Sequence, residues 1–282
     1  MRDGIIPSLP RLGITCAGSG PLVVLIHGMG GDRSTWRHQI AALSEFFTAV
    51  SVDLRGYGDS DDPPNALAFK QDFTDDIRAV IDHFGVPRAH LVGLSMGGRV
   101  ARAASLLMPD RVASLTLANT SPGFTDMTAA ELDAFVEARS HVGDGQQLPA
   151  DFGQKQALAM TAPGAPASAI EVASTAMQRL RLGNYLEVLK ASTLQDMGDK
   201  LELIACPVHI ITSDLDRVYP QAVALQMLKR IPGAVLTCIE GAGHLSNLEK
   251  PQAFNEALLA FLQKMPGEKF AAGPSDLTKH RD

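Results

Sequence analysis

Short, almost unbroken apolar runs alternate along this chain with longer segments in which apolar positions recur every three or four residues. The runs at 22–26, 48–53, 88–93, 112–118, 207–212 and 234–239 predict strands, and the periodic segments at 35–45, 72–84, 97–107, 220–230 and 251–264 predict helices. A strand that is apolar on both sides of its pleat belongs in a sheet covered on both faces. Its alternation with helices makes that sheet mostly parallel. The expected fold class is therefore α/β, a mostly parallel central sheet with helices on both faces. Residues 10–16 are expected to add an antiparallel edge strand.

The alternation stops at 121–203. Helical periodicity continues there, at 129–140, 151–161, 167–181 and 184–191, but no strand pattern accompanies it. The expected organisation is a core formed by 1–120 and 204–264, an all-helical insertion at 121–203, and a peripheral tail at 265–282 that is rich in Pro, Gly, Lys and Ser.

Composition narrows the function classes. With 282 residues, 45% of them hydrophobic, the chain can bury a large core. A net charge of −6 argues against nucleic acid as a partner, because a phosphate backbone requires a basic face. No apolar run approaches the ~20 residues of a membrane span, and the N-terminus lacks the apolar stretch of a signal peptide. The three cysteines, Cys16, Cys206 and Cys238, are odd in number and without metal-ligand spacing. Cys206 and Cys238 are expected as buried thiols, and a cytoplasmic location follows.

The chemistry begins at Gly93-Leu94-Ser95-Met96-Gly97, between a strand pattern and a helix pattern. A Gly-x-Ser-x-Gly in that setting is a nucleophile elbow, which holds its serine in a strained backbone conformation and aims a helix N-terminus at it. The serine needs a base, and the base needs an acid, in the chain order Ser, acid, His. His244, on the glycine-rich loop after the strand at 234–239, is the candidate base. Two carboxylates, Asp214 and Asp216, compete for the acid on the loop after the strand at 207–212. The oxyanion of an acyl transfer would be held by backbone N–H groups of the residue after the nucleophile and of an upstream loop, which nominates Met96 and, in His27-Gly28-Met29-Gly30-Gly31, Met29.

Over nearly all of 20–264 the chain resembles the α/β-hydrolase superfamily. The resemblance implies a Gly-x-x-Asp-x-x-x-Pro segment around the acid. Aligning it on Pro220 selects Asp216, with Ser213 replacing the usual glycine, and leaves Asp214 as a turn residue. It implies a structural role for His27 and a bracing loop at Asp53-Leu54-Arg55-Gly56-Tyr57-Gly58-Asp59-Ser60. Some members carry the acid one strand earlier, where this chain has Leu117-Ala118-Asn119-Thr120 and no carboxylate. It also implies that the helical insertion is a lid above Ser95. In the lid, Met127, Met160 and Met177 are expected as packing, and Arg139, Lys155, Arg179, Arg181 and Lys190 as mostly solvated helix faces, with Arg179 or Arg181 the candidate to reach inward to a substrate carboxylate.

Within the superfamily, 117–120 and 243–249 look like segments of the 3-oxoadipate enol-lactonase group, from which the His27-Gly28 pair departs. The implied function is a serine hydrolase acting on a small carboxylic ester or lactone through an acyl-enzyme, with no cofactor or metal. Two alternatives stand beside it. One is hydrolysis of a carbon–carbon bond in a ring-cleavage product, whose enzymes commonly carry a tryptophan soon after the histidine; here the only tryptophan is Trp36. The other is a non-catalytic ligand-binding protein on the same fold. Epoxide hydrolases and haloalkane dehalogenases are disfavoured because their nucleophile is an aspartate.

Overall fold

The computed structural model describes residues 1–63, 66–124, 127–142, 147–195 and 200–265. The expected tail at 265–282 lies, from residue 266 onward, outside the described residues. The strands are β1 (Arg2–Ile6), β2 (Leu12–Ala17), β3 (Leu22–Ile26), β4 (Thr48–Val52), β5 (Ala89–Leu94), β6 (Val112–Ala118), β7 (Val208–Ser213) and β8 (Val235–Ile239). The helices are α1 (Arg37–Leu43), α2 (Phe69–His83), α3 (Met96–Leu107), α4 (Ala129–Ser140), α5 (Phe152–Met160), α6 (Ala167–Gln178), α7 (Leu182–Leu194), α8 (Gln221–Arg230), α9 (Ser246–Glu249) and α10 (Pro251–Leu262).

The eight strands form one sheet in the order β1-β2-β4-β3-β5-β6-β7-β8. Every pair from β4 to β8 is parallel, while β2 runs antiparallel to both β1 and β4. The fold class is the one read from the sequence. The first edge is different: the sequence predicts β2 at the rim, but β1 pairs outside it. Four of the five β1 residues are exposed or half-buried, so no apolar run announces that strand.

Both faces of the sheet are covered, as the continuous strand patterns require. Val24 and Ile26 of β3 pack into one apolar cluster with Phe69, Phe73 and Ile77 of α2 and Val100 of α3. Their neighbours Val23 and Leu25 pack into a second cluster with Ile40 of α1 and Phe254 and Leu258 of α10. Each of these β3 side chains is 0% exposed, and full burial of such a side chain contributes roughly 1.5–3 kcal/mol. Helices α4 to α7 all lie between β6 and β7, and among the described residues that interval contains no strand. Among the described residues no helix is long and apolar enough to cross a membrane. Cys206 and Cys238 are half-buried rather than buried; Cys238 sits on the edge strand β8, whose first four residues are exposed or half-buried.

Parallel strands place their C-terminal ends on one edge of the sheet, where loops converge. Leu94, Ala118 and Ile211 are lateral neighbours across β5, β6 and β7, and Ile211 pairs with Thr237 of β8. The loops that follow these strands carry Ser95, Asn119, Asp216 and His244.

Candidate active site

Ser95 sits between β5 and α3 with φ 56° and ψ −120°. A non-glycine residue in that region is strained, and it is held there by its surroundings. Its N–H donates to the Ala118 carbonyl at 2.9 Å, and its carbonyl accepts the Thr120 hydroxyl at 2.6 Å. The flanking glycines have no alternative. A Cβ on Gly93 would lie 2.1 Å from the Gly97 carbonyl oxygen, and one on Gly97 would lie 2.2 Å from that of Ile26.

Two other loops meet this turn. The Ser95 hydroxyl lies 2.9 Å from His244 Nε2, and His244 Nδ1 lies 3.0 Å from Asp216 Oδ2. With Asp216 accepting the Nδ1 proton, Nε2 presents its lone pair to the serine O–H. His244 is 2% exposed and Asp216 5%, so water does not compete for the bond between them, while the Ser95 hydroxyl borders the cavity. The remaining acceptor sites of Asp216 are filled: Oδ1 takes the N–H groups of Val218 at 2.8 Å and Tyr219 at 2.9 Å, and Oδ2 takes the Asn119 amide at 3.0 Å. Burial opposes ionisation of this carboxyl, but the hydrogen bond and charge of His244, with the Tyr219 and Asn119 donors, outweigh it and hold it below the usual range. Asp214 is exposed and accepts the Gly241 N–H at 2.7 Å, the turn role expected of it.

The sequence marks Asn119 as a missing carboxylate and as part of the 117–120 segment, without a role of its own. It adopts φ 42° at the end of β6 and joins three loops, donating to Ser213 Oγ at 2.6 Å and Asp216 while accepting from Ser246 Oγ at 2.5 Å. Its signal in sequence is its position, at the end of the strand between those bearing Ser95 and Asp216.

Met29 and Met96 both border the cavity that contains Ser95. Met96 is the first residue of α3, so its N–H belongs to the first turn that has no intrahelical acceptor. His27 lies near Ser95 but spends its ring nitrogens on backbone, with Nδ1 bonded to the Gly28 carbonyl at 2.9 Å. It is 1% exposed, accepts the Leu54 N–H on Nε2 at 3.1 Å and stands edge-on to Tyr57 at 4.7 Å between ring centroids. Burial pushes its basicity down, consistent with a neutral ring that joins two loops. The 53–60 loop is a brace: Arg33 pairs with Asp53 and Asp59, and Arg55 with Asp76 and Asp72.

The cavity has a volume of about 440 Å³ and is bounded by α4, α5 and α7 as well as by the elbow. Its insertion side carries the aromatic rings of Phe124, Phe135, Phe152 and Tyr185. Two sequence expectations fail here. Arg179 and Arg181 do not line it: Arg179 pairs with Asp32 and Asp59, and Arg181 with Asp62 and the carbonyls of Gly58 and Ser60. The acidic bracing loop draws both away. Met160 and Met177, expected as packing, do line it, although Met177 is only 3% exposed.

The buried basic group in the wall is Arg99, 3% exposed on α3. Its guanidinium donates to the Ser192 carbonyl and lies 5.2 Å from the Phe69 ring centroid and 5.0 Å from that of Phe124. The missed clue is spacing, since a residue four after Ser95 follows it by one helical turn. Arg139 and His141, both exposed, also border the cavity.

The family model described as Alpha/beta hydrolase family matches residues 23–257. Over 247 residues the chain is 28% identical to 3-oxoadipate enol-lactonase 2 of Acinetobacter baylyi, covering 86% of this chain and 89% of that protein. It is 31% identical to the protein named "Putative carbamate hydrolase RutD" from a Caulobacter species, covering 85% and 90%. Its fold is similar to that of a thermophilic esterase from Thermogutta terrifontis, with a TM-score of 0.82 at 24% identity, covering 94% of this chain and 99% of that one. A match of this extent, on a sheet whose C-terminal edge gathers a strained serine, a histidine and a carboxylate, has one reading: the chain belongs to the Alpha/beta hydrolase family.

Proposed function

We propose that this hydrolase cleaves a small carboxylic ester or lactone through an acyl-enzyme on Ser95. The observation that carries the reading is the unbroken hydrogen-bonded series from Asp216 through His244 to the Ser95 hydroxyl. Ser95 Oγ attacks the carbonyl carbon while His244 Nε2 takes its proton. Asp216 stabilises the resulting imidazolium, and the N–H groups of Met29 and Met96 receive the oxyanion. The imidazolium then protonates the leaving oxygen, and a water activated by the same imidazole releases the acid. In a lactone both products of the cleavage remain one molecule.

The insertion at 121–203 serves as the lid and the segments 1–120 and 204–264 as the core. A cavity of about 440 Å³ beneath such a lid suits a small molecule rather than a long acyl chain. A substrate carrying a carboxylate has the Arg99 guanidinium in the wall as its partner, in place of Arg179 or Arg181. The lactonase relative supports the lactone form of the substrate.

The test is turnover of a panel of small esters and lactones, with Ser95→Ala as control. Wild-type turnover that disappears in Ser95→Ala, together with fluorophosphonate labelling at Ser95 alone, is the expected result. Labelling at another residue, or equal turnover by the variant, would overturn it.

A further inference from the structure

Glu249 is 2% exposed and closes the short helix α9, five residues after His244. Its carboxylate accepts three backbone N–H groups. Oε2 takes Gly243 at 3.0 Å and Ala162 at 2.8 Å, and Oε1 takes Leu245 at 3.1 Å. Gly243 and Leu245 are the residues on either side of His244. Ala162 belongs to the helical insertion, just after α5. One side chain therefore holds the N–H of the residue before the histidine, the N–H of the residue after it, and the insertion.

The same stretch of the insertion is tied to the site by other bonds. The His244 N–H donates to the Met160 carbonyl at 2.8 Å. Arg217, next to Asp216, donates to the carbonyl of Thr161 at 3.1 Å and to those of Ala159 and Leu158 at 3.3 and 3.4 Å. Contact is close enough that a Cβ on Gly243 would lie 2.5 Å from the Ala162 nitrogen and 2.8 Å from the Met160 oxygen. Met160 also borders the cavity beside Ser95 and His244.

The geometry points to Glu249 as a positioning residue that fixes the His244 ring between Asp216 and Ser95 by clamping its backbone to the insertion. The inference rests on the assignment of Ser95, His244 and Asp216 as the catalytic set. Backbone N–H bonds to a buried carboxylate are strong and short-ranged, so the clamp restrains the loop without touching substrate. A base displaced by about 1 Å loses on the order of a hundred-fold in rate, which sets the scale of the expected effect.

Glu249→Gln preserves the volume but replaces one acceptor oxygen with an NH2 group that must face a backbone N–H. In an ester assay on folded protein, kcat should fall by about thirty-fold with KM within about two-fold, as expected for lost positioning rather than lost binding. Fluorophosphonate labelling of Ser95 should slow by the same factor. The low-field proton NMR signal of the imidazole N–H held by Asp216 should broaden and exchange faster with water. That signal needs no substrate, so it tests the clamp even if wild-type protein cleaves none of the esters, an outcome that would instead count against the proposed function. Glu249→Asp, with both oxygens on a shorter stem, carries the same measurements if Glu249→Gln does not fold. A melting temperature that drops while kcat, labelling rate and the N–H signal stay as in wild type would make Glu249 a structural brace and overturn the proposal.

Discussion

Replacing Asp216 by asparagine is the most discriminating perturbation of the site, because the structure dictates how the new amide must lie. Oδ1 of Asp216 accepts two backbone N–H groups, from Val218 and Tyr219, so the carbonyl oxygen of the substituted side chain stays there. Its NH2 group then occupies the Oδ2 position, facing His244 Nδ1 and the Asn119 amide. A donor at that place makes Nδ1 an acceptor and puts the ring proton on Nε2, which can no longer take the serine proton. The corresponding substitution in a serine triad lowers kcat by about 10⁴-fold, or roughly 5.4 kcal/mol of transition-state stabilisation. Asp214→Asn should stay within about three-fold, because Asp214 is exposed and its Oδ1 bond to Gly241 can be kept by an amide oxygen. Single-turnover acylation with a chromogenic ester reads the chemical step directly. A loss below about ten-fold for Asp216→Asn, or the reverse ranking of the two variants, would refute the reasoning.

Two further expectations concern stability. Burial, with minor help from Arg88 and Lys264 respectively, pushes His90 and His209 down to about 4. The unfolded chain takes these protons near its ordinary value of ~6.5 and the folded chain only near pH 4, so stability is full above about pH 6.5 and declines toward pH 4 by up to about 1.4 kcal/mol per pH unit per histidine. Urea midpoints should therefore fall from pH 7 to pH 5, and an unchanged slope in a His90→Gln, His209→Gln double variant would remove the assignment. Glycine substitutions should split by geometry. Gly97→Ala meets the backbone carbonyl oxygens of Ile26 and His27 at 2.2 and 2.6 Å and should cost about 1–3 kcal/mol or more, whereas Gly183→Ala, inside α7 with nothing within 4 Å, should stabilise by roughly 0.5–1 kcal/mol. Thermal melts that rank the two alike would contradict this.

The elements that sequence reveals are those whose pattern is set by burial. Strands β3 to β7 are buried along nearly their whole length because both faces of the sheet are covered, so most of their residues are apolar, and their helices show a one-sided stripe. β1 carries no such mark because it lies at the rim, where burial imposes no pattern. In the site, Ser95 and His244 are marked by the glycines that crowded backbone demands, so local sequence exposes them. Asp216 needs a resemblance to separate it from Asp214, since their difference lies in which backbone N–H groups each carboxylate meets. Arg99, Asn119 and Glu249 act through partners far along the chain, as in the bonds of Arg99 to Ser192, Asn119 to Ser246 and Glu249 to Ala162, and no local pattern encodes such distances. The misplacement of Arg179 and Arg181 has the same origin: the carbonyls that hold Arg181 come from a loop about 120 residues earlier, and that loop's Asp59 pairs with Arg179.

The contacts that seat the insertion on the loops of Asp216 and His244 have a consequence for how the protein can change. They are made to backbone atoms of 158–162: four carbonyl oxygens and one N–H. No side chain of that stretch is needed for them, so residues facing the cavity, such as Met160, can be exchanged while the seat is retained. Selection, natural or in the laboratory, can thus retune which molecules fit without first rebuilding the reactive centre. Libraries confined to the side chains of α4, α5 and α7 that face the cavity should yield a higher fraction of active members than libraries that introduce proline or deletions at 158–162.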